Sequence, residues 1–458
     1  MMENKGYGNI PRILFDFITF LSSALPLRSV PTFIELVIGA MITQAGFVTQ
    51  TWLAIAPVRD WTSYYKWLQK GKWSWVALGV QMTRLILKFF VQPVCYLIID
   101  DTLIYRSSRK APGCTIHHQH GSKPNRPRFV RGQCWVSLAF SLRQGVKTVA
   151  IPLLSRLMRV NGNSSKLTAA QVLLRVVAPV FENKKVIVLL DSWYMRWPLL
   201  QFLLKHQFHA IGQIRRDTAL YDLPVQTGKR GRPRIYGTKY TPEIVEALPE
   251  HREYVMIYGK EQWVRYRSAV CLARFMKARK VRAVWMQIED KSGNLTGRRL
   301  LLSTNSELSA LEIITSYARR WPIEDVFNQM KNRWGWKEAW QQSRQVLHRW
   351  TQILSIGFAL PQLLTLVGGQ QVKSLADIAP WRENHPLTAG RIRLGLQRIF
   401  RQVSVRQFWN PKSRKFEPPD HGKNNNSGRN GPLQQLFMMS KNNFNDTNQL
   451  SRRKKGEL

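Results

Sequence analysis

The stretch Tyr317–Lys331, YARRWPIEDVFNQMK, sets a tyrosine, an arginine, a glutamate and a lysine at positions 317, 320, 324 and 331. Pro322 suits the first turn of a helix, where its missing N–H costs nothing. From there Ile323, Phe327, Met330 and Trp334 fall at i, i+4, i+7 and i+11, which predicts one apolar helix face. Glu324 and Lys331 are seven apart and share a neighbouring face, roughly a quarter-turn away. That geometry puts the Glu324 carboxylate at the edge of a core. Tyr317 and Arg320 precede the proline, before or across a kink. Taken alone, Glu324 and Lys331 would be an ordinary exposed pair, so the upstream acids matter.

Two strongly apolar runs upstream end in aspartate. VCYLII leads into Asp100-Asp101, and VIVLL ends at Asp191. Between them, QCWVSLAFSL and KTVAIPLL flank Arg143-Gln144-Gly145 as a hairpin, and SSKLTAAQVLLRVVAPVF has helical period. A helix over Trp197–His206 and a strand near Ala210–Ile214 follow. The order β-β-β-α-β-α-β is that of a ribonuclease-H-like α/β fold, in which the first and fourth strands lie side by side. Residues 1–90 read as a helical N-terminal domain and 91–214 as the first part of the catalytic domain. Residues 215–305 read as a β-rich insertion, with a hairpin signal at Lys291–Asn294, and 306–370 as the last catalytic helix region. Residues 371–458 form a basic C-terminal region, expected to be disordered from about residue 410.

Clustered acids repel one another unless a cation neutralises them. Asp100, Asp101, Asp191 and Glu324 are therefore candidate catalytic residues and metal ligands, and carboxylates suit Mg²⁺ or Mn²⁺. Two such ions, about 3.5–4 Å apart, can activate a water or 3′-hydroxyl and stabilise the leaving oxygen in attack on phosphorus. Either Asp100 or Asp101 could be the primary ligand; the Asp-x-Thr spacing to Thr102 favours Asp100.

Asp100-Asp101-Thr102, Asp191-Ser192-Trp193-Tyr194 and the Tyr-x2-Arg-x3-Glu-x6-Lys motif together resemble a DDE transposase of bacterial insertion sequences. The group is the insertion-sequence-four-like one, and the likeness spans roughly residues 30–370. The resemblance implies metal-dependent cleavage at terminal inverted repeats and strand transfer into target DNA. It implies that Tyr317, Arg320 and Lys331 hold phosphates of the transferred end. Trp321 stands where relatives that cleave through a hairpin hold a flipped base, or it is a packing residue. A homodimer on double-stranded DNA, element ends and target, follows from the same likeness, with a bacterial cytoplasmic, nucleoid-associated location. The rivals are another metal-dependent nuclease on this fold and a catalytically idle DNA-binding derivative.

Composition agrees with a polyanionic partner. The chain carries 69 Lys+Arg against 28 Asp+Glu, a net charge of +41, and a phosphate-neutralising protein gains affinity from released counterions. Gly231-Arg232-Pro233-Arg234, after Lys229-Arg230, resembles an AT-hook core; Arg232 and Arg234 either enter a minor groove or sit on a solvated loop. Residues 30–90 could read DNA ends or form a plain helical bundle. Most of the 17 Trp residues are expected to pack, and some to stack on bases. His117, His118 and His120 read as an exposed or phosphate-contacting loop. Four scattered cysteines suggest neither disulfides nor zinc. No P-loop occurs, so no nucleotide cofactor is expected. Met1–Arg12 does not read as a signal peptide. The apolar run Phe33–Ala56 is broken by Glu35, Gln44, Thr49 and Gln50, which predicts a buried helix and no membrane span.

Overall fold

The computed structural model describes residues 10–108, 110–118, 127–158, 164–225, 232–290, 292–378, 381 and 385–419. Its first ninety residues are helical: α1 (Arg12–Ser22), α2 (Val30–Ile42), α3 (Val48–Leu53), α4 (Trp61–Lys70) and α5 (Trp75–Phe89). The apolar run expected as one helix is two, because the chain leaves α2 at Thr43 in extended geometry. The break is held from outside. The Gly46 N–H donates to Glu338 Oε2 at 2.6 Å, and its carbonyl accepts Trp350 Nε1 at 2.7 Å.

The sheet begins with β1 (Cys95–Tyr105), β2 (Cys114–His118), β3 (Phe129–Gln144) and β4 (Lys147–Leu157). Next come α6 (Ser164–Val177), β5 (Val186–Leu190), α7 (Trp197–Lys205) and β6 (His209–Ile214). β1 pairs in parallel with β5, and β5 with β6; the central β5, VIVLL, is the buried, continuously apolar run suited to such pairing. Two details differ from the sequence reading. β1 does not stop at Asp100 but runs on to Tyr105, because the long β3 keeps pairing with it after β5 has ended. The histidine segment is also not a loop: His117 and His118 lie in β2, and His117 Nε2 is 3.1 Å from the Gly132 carbonyl oxygen of β3. His120 falls outside the described residues.

The segment read as an insertion holds β7 (Leu220–Tyr221), α8 (Pro242–Glu246), β8 (His251–Ile257), β9 (Lys260–Ala273), β10 (Arg279–Ile288) and β11 (Arg299–Ser303). It is β-rich, but it continues the same sheet. β11 adds antiparallel to β6, so this sheet has eleven strands among the described residues. The turn after β10 includes Gly293 at φ +81°; Lys291 of the expected hairpin lies outside the described residues.

Helices close the layer beneath: α9 (Ala310–Ala318), α10 (Pro322–Arg333), α11 (Arg344–Val367), α12 (Gly369–Ala376) and α13 (Ala389–Phe400). α11 is long and apolar enough to cross a membrane, yet 89% of its apolar window is buried inside the structure, against α2 and β4. Residues 411–419, expected to be disordered, are a correction. β12 (Trp409–Asn410) and β13 (Lys415–Phe416) form a hairpin, because Phe408 and Phe416 are buried against Phe15 of α1. The Phe416 N–H also donates to Thr19 Oγ1 at 2.9 Å. The rest of the expected disordered tail, from residue 420, lies outside the described residues.

Candidate active site

The parallel pairing of β1 with β5 ends with Ile99 beside Leu190, so Asp100 and Asp191 are the next residues along the two strands. Asp191 is fixed by its own turn: Oδ1 accepts the N–H groups of Trp193 and Tyr194, each at 3.0 Å. Asp100 remains within β1, so it and Asp101 point to opposite faces of the sheet. Asp100 Oδ2 accepts Arg320 Nη1 at 2.7 Å. The same guanidinium donates through Nη2 to Glu324 Oε1 at 2.9 Å.

Local sequence explains how Arg320 reaches both acids. Ser309 and Glu312 form a reciprocal capping box that starts α9. α9 ends at Ala318, and Pro322 begins α10, so Arg319–Trp321 make the break between two helices. Arg320 leaves this break with its side chain largely buried, 5.9 Å from the ring of buried Tyr317. Seven residues after Glu324, Lys331 Nζ donates to Thr102 Oγ1 at 2.8 Å. Thr102 is two residues from Asp100 and shares its face. The structure thus gathers Tyr317, Arg320, Glu324 and Lys331 over the Asp100 face of β1.

Asp101 has different company. It pairs with Lys166 Nζ of α6 at 2.9 Å, accepts the Tyr194 hydroxyl at 3.0 Å, and lies 3.4 Å from Cys134 Sγ. Lys166, Tyr194 and Cys134 were not singled out in the sequence. Extending the first strand past Asp100 would have separated the two aspartates, since neighbours on a strand alternate faces. Tyr258 was also missed. It sits with φ +54° ahead of Gly259 in the turn between β8 and β9, edge-on to Trp321 with 5.9 Å between ring centroids. Trp321 itself is 52% exposed, so it is not a core residue. Arg232 and Arg234 are exposed between β7 and α8, at the end of the sheet order remote from β1.

Burial pushes the Asp100 carboxyl up to about 7; the nearby charges of Asp191 and Asp101 push the same way, and Arg320 opposes them. Burial also raises Asp191, with Asp101 adding to it and the two turn N–H groups and Arg320 opposing. These acids crowd one another and call for positive charge. The donors are hard oxygens of the kind Mg²⁺ and Mn²⁺ take. Among the described residues, however, no group of three or more His, Cys, Asp or Glu side chains stands ready to hold an ion. The Arg320 guanidinium bonds both Asp100 and Glu324. Asp100, Asp191 and Glu324 offer the carboxylate oxygens that a divalent ion takes, and an ion shared by Asp100 and Glu324 would have to displace Arg320 from them.

Residues 35–268, a little over half of the 458-residue chain, match the family model described as DDE superfamily endonuclease. The match includes Asp100, Asp101 and Asp191 and stops before Tyr317. No match to the sequence was found among curated proteins.

Proposed function

We propose, because the chain belongs to the DDE superfamily endonucleases, that it is a transposase acting on the terminal inverted repeats of an insertion sequence. Metal-dependent DNA cleavage comes with the family; the finer reading adds end-specific binding and transfer of the cut strand into target DNA. The observation that carries it is the meeting of Tyr317, Arg320, Glu324 and Lys331 over Asp100 and Thr102, with Asp191 on the adjoining strand. Arg320 reaches Asp100 across 220 residues of sequence, so the motif and the first strand meet in space, which supports the reading.

Asp100, Asp191 and Glu324 would hold the metal. When bound, Mg²⁺ or Mn²⁺ supplies a polarised phosphorus and an ionised water or 3′-hydroxyl. The chain's own residues do the positioning. Arg320 and Lys331 offer N–H donors to phosphate oxygens, and each currently spends them on protein oxygens that a strand could replace. Trp321 and Tyr258 offer aromatic surface beside them. Asp101, held by Lys166 and Tyr194, braces the strand from behind. Two copies on paired ends would place one such site at each cut.

End DNA and random DNA of equal length, compared by gel-shift over rising salt, test the reading. Both affinities should fall steeply, because releasing counterions gains less as bulk salt rises. A specific increment for the ends should survive at moderate salt. Equal binding of the two DNAs at every salt concentration would defeat end recognition.

A further inference from the structure

On leaving Asp191 the chain turns through Ser192–Arg196 into α7. That turn, the end of β6 and the Arg274-Phe275 corner after β9 enclose a cleft of about 800 Å³. Its walls include half-buried Trp193, Trp197 and Phe275. Its rim carries exposed Arg196, Arg215 and Arg274 against one acid, Asp217. Two further cations reach these aromatics: Lys166 Nζ lies 4.9 Å from the Trp193 ring, and the Arg279 guanidinium 5.8 Å from Trp197. The Arg196 guanidinium also covers Trp193, at 4.6 Å. Aromatic faces ringed by arginines match a ligand with a flat ring and a phosphate. The volume lies within the roughly 300–1,000 Å³ common for small-ligand sites.

We propose that this cleft holds an unpaired nucleotide of a DNA strand, its base against Trp193, Trp197 and Phe275 and its phosphate against Arg196, Arg215 and Arg274. A duplex fits poorly, because its base faces are stacked on one another and cannot meet the aromatic walls. The inference rests on the reading of the chain as a DNA-cutting enzyme and adds where a single strand lies. The same turn does two things: Trp193 and Tyr194 anchor Asp191 through their N–H groups, while Trp193 walls the cleft. A seated base therefore steadies the turn that holds Asp191. The cleft is distinct from the Trp321–Tyr258 pair, which sits at the start of α10.

The test is photo-crosslinking of a short oligo(dT) carrying 5-iododeoxyuridine to the wild-type chain without metal, with the attached peptide identified by mass spectrometry. Crosslinks are expected at Trp193, Trp197 or Phe275. Arg196→Ala combined with Arg274→Ala, both exposed and so harmless to the core, should weaken single-strand affinity about tenfold or more. Duplex end DNA should bind that variant within about twofold of wild type, since its main phosphate contacts lie elsewhere. Crosslinks that map elsewhere, single-strand affinity untouched by the double substitution, or a random duplex that competes as well as oligo(dT) would each overturn the proposal. Mg²⁺-dependent cleavage of end DNA, run alongside, separates the failures. Cleavage without a cleft crosslink defeats the cleft alone, whereas absence of both cleavage and end-specific binding defeats the transposase reading beneath it.

Discussion

Arg320 lies 2.7 Å from Asp100 and 2.9 Å from Glu324, so one guanidinium serves two acids that a metal would otherwise share. Its place in the motif was legible from the spacing 317, 320, 324, 331. Its role as the cation between acids was not, because spacing along a helix cannot show what a side chain meets on a strand 220 residues away. The sequence leaves both Asp100 and Asp101 as candidates. Asp-x-Thr favoured Asp100, and the structure places Thr102 beside it, holding Lys331. The two aspartates should separate in experiment. Asp100→Asn should fold and bind end DNA but lose cleavage by several orders of magnitude. Asp101→Asn should instead lower stability by about 1–3 kcal/mol, since it breaks a partly buried ion pair with Lys166 and weakens the Tyr194 contact, and should keep measurable cleavage. Urea unfolding and a Mg²⁺-dependent nicking assay on both variants decide this; the reverse pattern would make Asp101 the residue at the reaction centre.

The break between α9 and α10 could be read from Pro322, whereas the break between α2 and α3 could not. It depends on Gly46 meeting Gly335 across 289 positions of sequence (335 − 46), too closely for any side chain. A Cβ on Gly335 would stand 1.9 Å from the Gly46 nitrogen, and Gly335 has φ +67°. Gly335→Ala should therefore cost about 3 kcal/mol or more, from backbone strain and a clash that only main-chain movement relieves. Gly145, at φ +58° with open space around it, should cost only about 1 kcal/mol on the same change. Equal midpoints for the two variants in chemical unfolding would contradict the account of this junction. His348 of α11 gives a second element-level test. It stacks on Trp75, meets Trp135 edge-on, accepts the Leu157 N–H at 3.1 Å, and donates through Nδ1 to the Arg344 carbonyl. Burial lowers its pKa to about 4, with the Arg344 and Arg156 charges acting the same way and the Arg344 carbonyl opposing. The folded chain thus binds fewer protons here than the unfolded one, and stability is lost as pH falls from about 6.5 through 4. Asp100 acts in the opposite sense, losing stability as pH rises through about 7, so a substitution is needed to isolate His348. On going from pH 7 to pH 5, the unfolding free energy of His348→Gln should change by about 2 kcal/mol more in the stabilising direction than that of wild type. The same pH 7 to pH 5 change in both proteins would show that His348 is not held neutral in the fold.

Across the whole molecule, the alternation of apolar runs and acids predicted a mixed α/β sheet, and the charge of +41 predicted a polyanionic partner. Two large features were not legible. The strands after β6 return to the same sheet through β11, a pairing set by register that no local pattern encodes. The β12–β13 hairpin forms because Phe416 finds Phe15 near the other end of the sequence. Both are long-range contacts, which sequence periodicity does not report. What the sequence did mark was the set of segments that converge on β1 and β5, and the central claim is that this convergence is a phosphoryl-transfer site. Glu324→Gln tests it most directly, because the substitution keeps size and the bond from Arg320 while removing the charge a metal ion needs. Labelled end DNA should be bound by this variant as well as by wild type in a gel-shift, and in Mg²⁺ it should be neither nicked nor joined. Wild-type cleavage by Glu324→Gln would remove that residue from the reaction and contradict the account.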